Sequence, residues 1–177
     1  MIKKVAMLFA GVLTLAGCGS VDIAKYAAEK PELDLRTYFD GTFDAHGIFQ
    51  DRSGEVVRRF HVLIEASWDG DTGVLDEYFT YSDGTTQRRV WTIIRHDQYR
   101  YTGTADDVVG EALGEARGNA LRWRYVMALP VGDKVYNVDF DDWMFLMDDR
   151  VMLNRSVMSK FGFRLGEVTL SFYKRTP

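Results

Sequence analysis

A single cysteine, Cys18, rules out an internal disulfide in this 177-residue chain, so stability has to come from a packed core rather than covalent staples. Proline is nearly as scarce, with three residues; Pro31 bars a helix from running through the segment around it. The three histidines, His46, His61 and His96, are not spaced as a metal pair, and there is no GxSxG, HExxH or Walker-type loop. Neither a metal nor a cofactor is expected. The loop Asp69-Gly70-Asp71-Thr72-Gly73 offers no oxygen side chain at its fifth place, which a calcium loop needs, and reads as a hairpin turn. Concentrated positive charge is missing too. Fifteen of the 22 basic residues are arginine, scattered from Arg36 to Arg175 among acidic neighbours, which excludes nucleic acid as a partner.

Long apolar runs are limited to Val5–Ala16, too short to span a bilayer, which takes about 20 residues. Lys3 and Lys4 before it and small residues after it mark residues 1–17 as a secretory signal. The signal ends in Leu15-Ala16-Gly17-Cys18, which resembles the lipobox of bacterial lipoproteins. That resemblance implies cleavage before Cys18 and acylation of its sulfur and new amino group. Two or more acyl chains would hold the protein on a membrane. Gly19 and Ser20 follow, with no aspartate in second place; by the same resemblance the destination is the outer membrane, facing the periplasm. Residues 18–177 carry 20 basic against 26 acidic side chains, a net charge of −6.

Residues 18–40 read as a lipidated tether and a short helical or extended lead-in, and residues 41–177 as a single domain. Turn signals such as DRSG, DGDTG, SDG, VGD and MDD punctuate runs of about ten residues rich in β-branched and aromatic side chains. Ten strands are expected, at 41–50, 55–68, 73–81, 85–95, 98–105, 108–117, 120–130, 134–146, 150–157 and 165–174. Alternation supports them: Phe60, Val62, Ile64, Ala66 and Trp68 share a face, as do Leu121, Trp123, Tyr125, Met127 and Leu129. Short connections imply an all-β, antiparallel up-and-down barrel, since closure removes exposed edges. The stretch Ser156–Gly162 alternates weakly and would suit a helical turn.

The segment GEALGEARG, 110–118, has glycines every fourth residue and small residues every second. Three glycines cost a helix about 1 kcal/mol each relative to alanine, so a strand is favoured. Gly110, Ala112, Gly114 and Ala116 would then leave a bare inner face. Either Trp91, Tyr99, Tyr101, Trp123 and Tyr125 fill it, or part of it is a pocket for an apolar ligand. In the second case a larger residue at Gly114 should block the pocket without unfolding the protein.

Paired carboxylates at Asp141–Asp142 and Asp148–Asp149 bracket the apolar run WMFLM. The second pair suits a turn. In the first pair one residue must point inward, where it needs a buried partner and could act as an acid or base; Asp142 is that candidate, and no other catalytic residue is identified. Asp142 and Arg155 are candidate polar anchors for a ligand head group. Arg122 and Arg124, on an outward face, suit the outward carboxylate. Met144, Met147, Met152 and Met158 add adaptable apolar surface.

The stretches DRSGEVVRRF, QRRVWTI, YTGTADDVVGEALGEARGNALRW, DDWMFLMDDRVMLNRSVMSKFG and GEVTLSF together resemble a family of proteobacterial lipoproteins known as domain of unknown function family 3833. The resemblance runs from the lipobox to Lys174 and implies a single lipoprotein domain; the association of that family with membrane fatty-acid modification implies a lipid. Tyr38-Phe39-Asp40-Gly41-Thr42-Phe43 is similar to the glycine-x-tryptophan start of lipocalin-like barrels, with Phe43 in place of the tryptophan. The expectation is a membrane-anchored barrel that binds a fatty acyl or other apolar ligand through Trp91, Tyr101, Gly110, Ala112, Gly114, Ala116, Trp123, Tyr125, Asp142 and Arg155. An enzyme of acyl-chain chemistry and a solid-cored module meeting an envelope protein are the alternatives.

Overall fold

The computed structural model describes residues 21–176; the signal segment and Cys18 lie outside them. Ten antiparallel strands form a closed barrel in which each strand pairs with its sequence neighbour and β1 closes on β10. They are β1 Gly41–Asp51, β2 Val56–Asp69, β3 Thr72–Tyr81, β4 Thr86–Arg95, β5 Arg100–Thr104, β6 Ala112–Arg117, β7 Ala120–Val131, β8 Lys134–Leu146, β9 Val151–Lys160 and β10 Phe163–Lys174. The all-β class, strand number and up-and-down order are those expected, because tight turns leave successive strands no partner but each other.

Two boundaries differ by more than two residues. β6 starts at Ala112, not at residue 108: Gly110 has φ +71 and lies in an exposed bend, a conformation that ends pairing. Val108 keeps only an isolated bridge to Met127. At the other site no helical turn forms. β9 runs straight to Lys160, and β10 begins after a two-residue loop, Phe161 and Gly162.

The lead-in segment closes one end of the barrel. A 3-10 turn, Ile23–Tyr26, is capped by the Asp22 side chain. Helix α1, Leu35–Tyr38, is capped by Asp34, which accepts from the Thr37 amide. Leu33, Leu35, Tyr38 and Phe39 are buried against Phe43, Ile64, Trp91 and Phe172, and each large apolar side chain so removed from water contributes about 1.5–3 kcal/mol. Polar ties fix the plug: the Trp68 indole donates to the Phe39 carbonyl at 2.9 Å, and the Lys174 ammonium to the Tyr38 carbonyl at 2.8 Å. Phe43, fully buried, packs on Tyr38 and Phe39 just after Gly41 (φ +114) opens β1. The opposite end, ringed by the β1–β2, β3–β4, β5–β6, β7–β8 and β9–β10 connections, carries no such plug among the described residues.

Candidate functional site

Strand parity decides what enters the barrel. Along β7, Leu121, Trp123, Tyr125, Met127 and Leu129 point inward, and along β3 so do Leu75, Glu77, Phe79 and Tyr81. Together with β4, β8, β9 and β10 they enclose a cavity of about 1240 Å³ that runs from the plug to the open end. Ligand pockets typically measure about 300–1,000 Å³, so this one has room for an extended apolar molecule.

Its floor answers the question posed by the glycine-alanine face. Gly114 is the cross-strand partner of Trp123, and a side chain at Gly114 would collide with the Trp123 indole. The same indole covers Gly103, where an added Cβ would stand 2.5 Å from Trp123 Cζ2. Trp91 meets Trp123 edge-on at 5.8 Å between ring centroids. Ala112, Ala116 and Tyr101 are buried in this packed closed end, away from the cavity. The two explanations of the bare face therefore each apply to part of the barrel. Trp123 fills the space beside β6, and the hollow lies along the other strands, from Leu35 and Phe39 of the plug to Val131 and Val135 at the open end.

Of the residues expected to line the site, Trp91, Trp123, Tyr125 and Asp142 do so. Gly110 is in the exposed bend before β6, outside the barrel wall. Arg155 also has to be corrected. It faces outward and forms a bidentate pair with Glu167, both bonds 2.7 Å, because its neighbours Asn154 and Ser156 are the inward residues of β9.

Half-way up the cavity the apolar wall is interrupted by a belt of polar side chains. Asp142 is buried; it accepts from the Ser156 hydroxyl and, at 3.4 Å, from Tyr125. Across the lumen Arg89 donates twice to Asp107, at 3.0 and 2.8 Å, and its Nη1 is 3.7 Å from Glu77 Oε2. Burial pushes the Asp142 carboxyl up to about 7, against the Ser156 and Tyr125 hydrogen bonds. Burial also lifts Glu77 to about 7, although Arg89 opposes it; Asp107 and Asp142 add to the rise. The Tyr125 phenol is raised by burial, then by Asp142. Near neutral pH the belt thus holds two carboxyls that both donate and accept protons readily, beside one arginine already paired.

Glu77, Arg89, Asp107 and Ser156 escaped the sequence reading. The signal for the first two was parity, since Glu77 stands between Leu75 and Phe79, and Arg89 two residues before Trp91. Above the belt Tyr125 stacks on Phe140 at 5.0 Å, and Met127, Val138, Phe140 and Met158 form a second apolar cluster. On the outer wall Arg122 grips Asp141 with bonds of 2.7 and 2.8 Å, as the outward pairing required. Asp148 accepts from the amides of Arg150 and Val151, which makes the expected turn. His46 and His61 face each other across β1 and β2, and His61 is 2.8 Å from Asp44; no cluster fit to hold a metal occurs among the described residues.

A family model described as "Protein of unknown function (DUF3833)" matches residues 12–174. The chain belongs to the DUF3833 family. The match takes in the plug and all ten strands, so the hollow barrel is the family domain itself. No curated protein matches the chain. Among solved structures, an S-type phycobiliprotein lyase from Guillardia theta is similar with a TM-score of 0.59 and 4% identity, over 78% of this chain and 89% of that one. The protein EF1p2_mFAP2b bound to DFHBI gives a TM-score of 0.44 and 10% identity, over 79% of this chain and 98% of that one. The likeness to the lyase is one of fold, a lipocalin-like barrel. Among the described residues of this DUF3833 member, no helix is long and apolar enough to cross a membrane.

Proposed function

We propose that this protein is a bacterial outer-membrane lipoprotein, anchored through acylated Cys18 and facing the periplasm, whose barrel binds a fatty acyl or other apolar molecule. The observation that carries the reading is the cavity, about 1240 Å³ in volume and walled by Phe79, Trp91, Tyr125, Met127, Phe140 and Met158. Aromatic and methionine side chains adapt to a chain that can bend. The fold shared with the lyase supports a barrel able to hold a small molecule.

The polar belt narrows the chemistry. Its carboxyls, Glu77, Asp107 and Asp142, outnumber its one cation, Arg89, which is already engaged. A ligand carboxylate placed there would meet net negative charge in a medium where charge is costly. The belt suits a neutral hydroxyl or amide, or a bare chain passing through, while an acidic head group would sit at the open end, where Arg58 and Lys160 line the cavity.

Two experiments test this. Native mass spectrometry of the protein released from membranes in mild detergent should show an added mass that solvent extraction frees as an apolar small molecule. A clean apoprotein mass, unchanged after incubation with lipids, would refute the binding. Growth with labelled palmitate should mark the protein and lose the mark in Cys18→Ser; equal labelling of the two would refute the anchor.

Asp142 supports a second reading as an acid–base group of an acyl-chain enzyme, because its carboxyl sits at about 7 in contact with Ser156 and Tyr125. Turnover that Asp142→Asn abolishes while ligand is still bound would establish that reading over simple carriage.

A further inference from the structure

The open end of the barrel is edged by apolar side chains that the fold leaves uncovered. The two-residue β9–β10 loop presents Phe161, 85% exposed, and Phe163 beside it, 75% exposed. The neighbouring β7–β8 hairpin presents Val131 and Val135, 60% and 66% exposed. Folding does not account for them. Phe161 has φ +52, and Gly162 φ +80, which is the geometry that favours Asn-Gly in such a turn. A phenylalanine in that left-handed region costs about 1–2 kcal/mol, and its ring is left in solvent. Soluble surfaces seldom gather large apolar groups in this way without a use.

Cations stand immediately behind these tips. The Lys160 ammonium lies 4.8 Å from the Phe161 ring centroid and donates to the Asn137 carbonyl at 2.7 Å, so it joins the two hairpins. Lys134 flanks them, against Asp133 in the β7–β8 turn, while Arg164 behind them is paired with Glu167 at 2.8 Å. Apolar tips backed by snorkelling cations match a lipid surface, with hydrocarbon outermost and phosphates one layer in. Separate protruding tips also suit a fluid layer better than a protein face, which needs a flat complementary patch of about 800 Å² per partner. The patch is continuous with the cavity, whose lining includes Val131, Val135, Tyr136, Lys160 and Leu165.

We infer that the β7–β8 and β9–β10 tips dock the open end of the barrel on a phospholipid bilayer, so that an apolar ligand passes between membrane and cavity without crossing water. The route rests on the carrier reading; the docking does not. The described chain begins at Val21 in an outer groove that it shares with Leu113 and Arg124 and, toward the plugged end, with His96 and Arg100.

The test uses the full, processed protein in vesicles of phosphatidylethanolamine and phosphatidylglycerol. Cys18 is the sole cysteine, and acylation removes it from thiol chemistry, so Phe161→Cys, Val131→Cys and, on the β8–β9 turn at the plugged end, the exposed Asp149→Cys each give one site for an environment-sensitive fluorophore. Labelling of the parent protein would expose a failure of the anchor reading separately. The probes at 161 and 131 should shift to the blue and be quenched by spin-labelled lipid, and the probe at 149 should do neither. Water-like emission and no quenching at both 161 and 131 would overturn the docking, as would equal quenching at all three sites. Exchanging Lys134 and Lys160 for glutamate should reduce the shift; an unchanged shift would overturn the part assigned to charge.

Discussion

Trp123 lies over Gly114, its cross-strand partner, and occupies the volume that any side chain there would need. The glycine is therefore part of the packing beside β6, and Trp123 also borders the cavity.

This relationship reverses the expectation that a larger residue at Gly114 would block the pocket and leave the fold intact. Gly114→Ala should instead cost about 1–3 kcal/mol by overpacking, and Gly114→Leu more. Thermal unfolding checks it: a melting temperature equal to the parent's would mean that Trp123 moves aside freely, contrary to its packing against Trp91.

Blocking should work higher up. Leu129 lines the cavity near the open end and is only partly buried, so Leu129→Trp has room to extend across the lumen. Affinity for a neutral apolar fluorophore should fall about tenfold or more, equivalent to ~1.4 kcal/mol, with little change in melting temperature. Undiminished affinity would show that the probe binds elsewhere.

Most of the architecture was legible before the structure was known, and the reason is particular. Runs such as Phe60, Val62, Ile64 and Ala66 show period two because one face of each strand is packed, and short turns leave a meander as the simplest order. The site was half legible. Trp91, Trp123, Tyr125 and Asp142 sit on strands whose parity apolar neighbours make plain. Glu77 and Arg89 share that parity but have the side chains of outward residues, so type overrode position. Arg155 failed for the opposite reason: Asn154 and Ser156 beside it are polar, and no apolar alternation marks which face of β9 is inside. That Trp123 covers Gly114 depends on register between strands, which no local pattern contains.

Asp142 and Glu77 make stability depend on pH. Both carboxyls are raised by burial from ordinary values of 3.8 and 4.5 to about 7 in the folded protein, so between about pH 4 and 7 the native state binds more protons than the unfolded chain. Their contribution is then complete below about pH 4 and is lost as pH rises through about 7. At about 1.4 kcal/mol per pH unit the loss is at most ~4 kcal/mol for Asp142. Denaturant midpoints should fall from pH 5 to pH 8, and Asp142→Asn should flatten the slope. A profile as steep in that variant as in the parent would remove Asp142 as a cause.

Arg89 gives the sharpest test of the belt, because it is the cation shared by Asp107 and Glu77. Arg89→Met keeps much of the stem's packing but leaves those carboxylates without a counter-charge inside the barrel. Breaking a buried pair from one side typically costs about 3–5 kcal/mol. The cost should be larger at pH 8 than at pH 5, since Glu77 can take up a proton at the lower pH and shed its charge. Adding Glu77→Gln to Arg89→Met should then recover part of the loss at pH 8 and little at pH 5, as read by urea unfolding. If the double variant is no more stable than the single at pH 8, the charge of Glu77 is not what Arg89 neutralises, and the arginine is held for Asp107 alone.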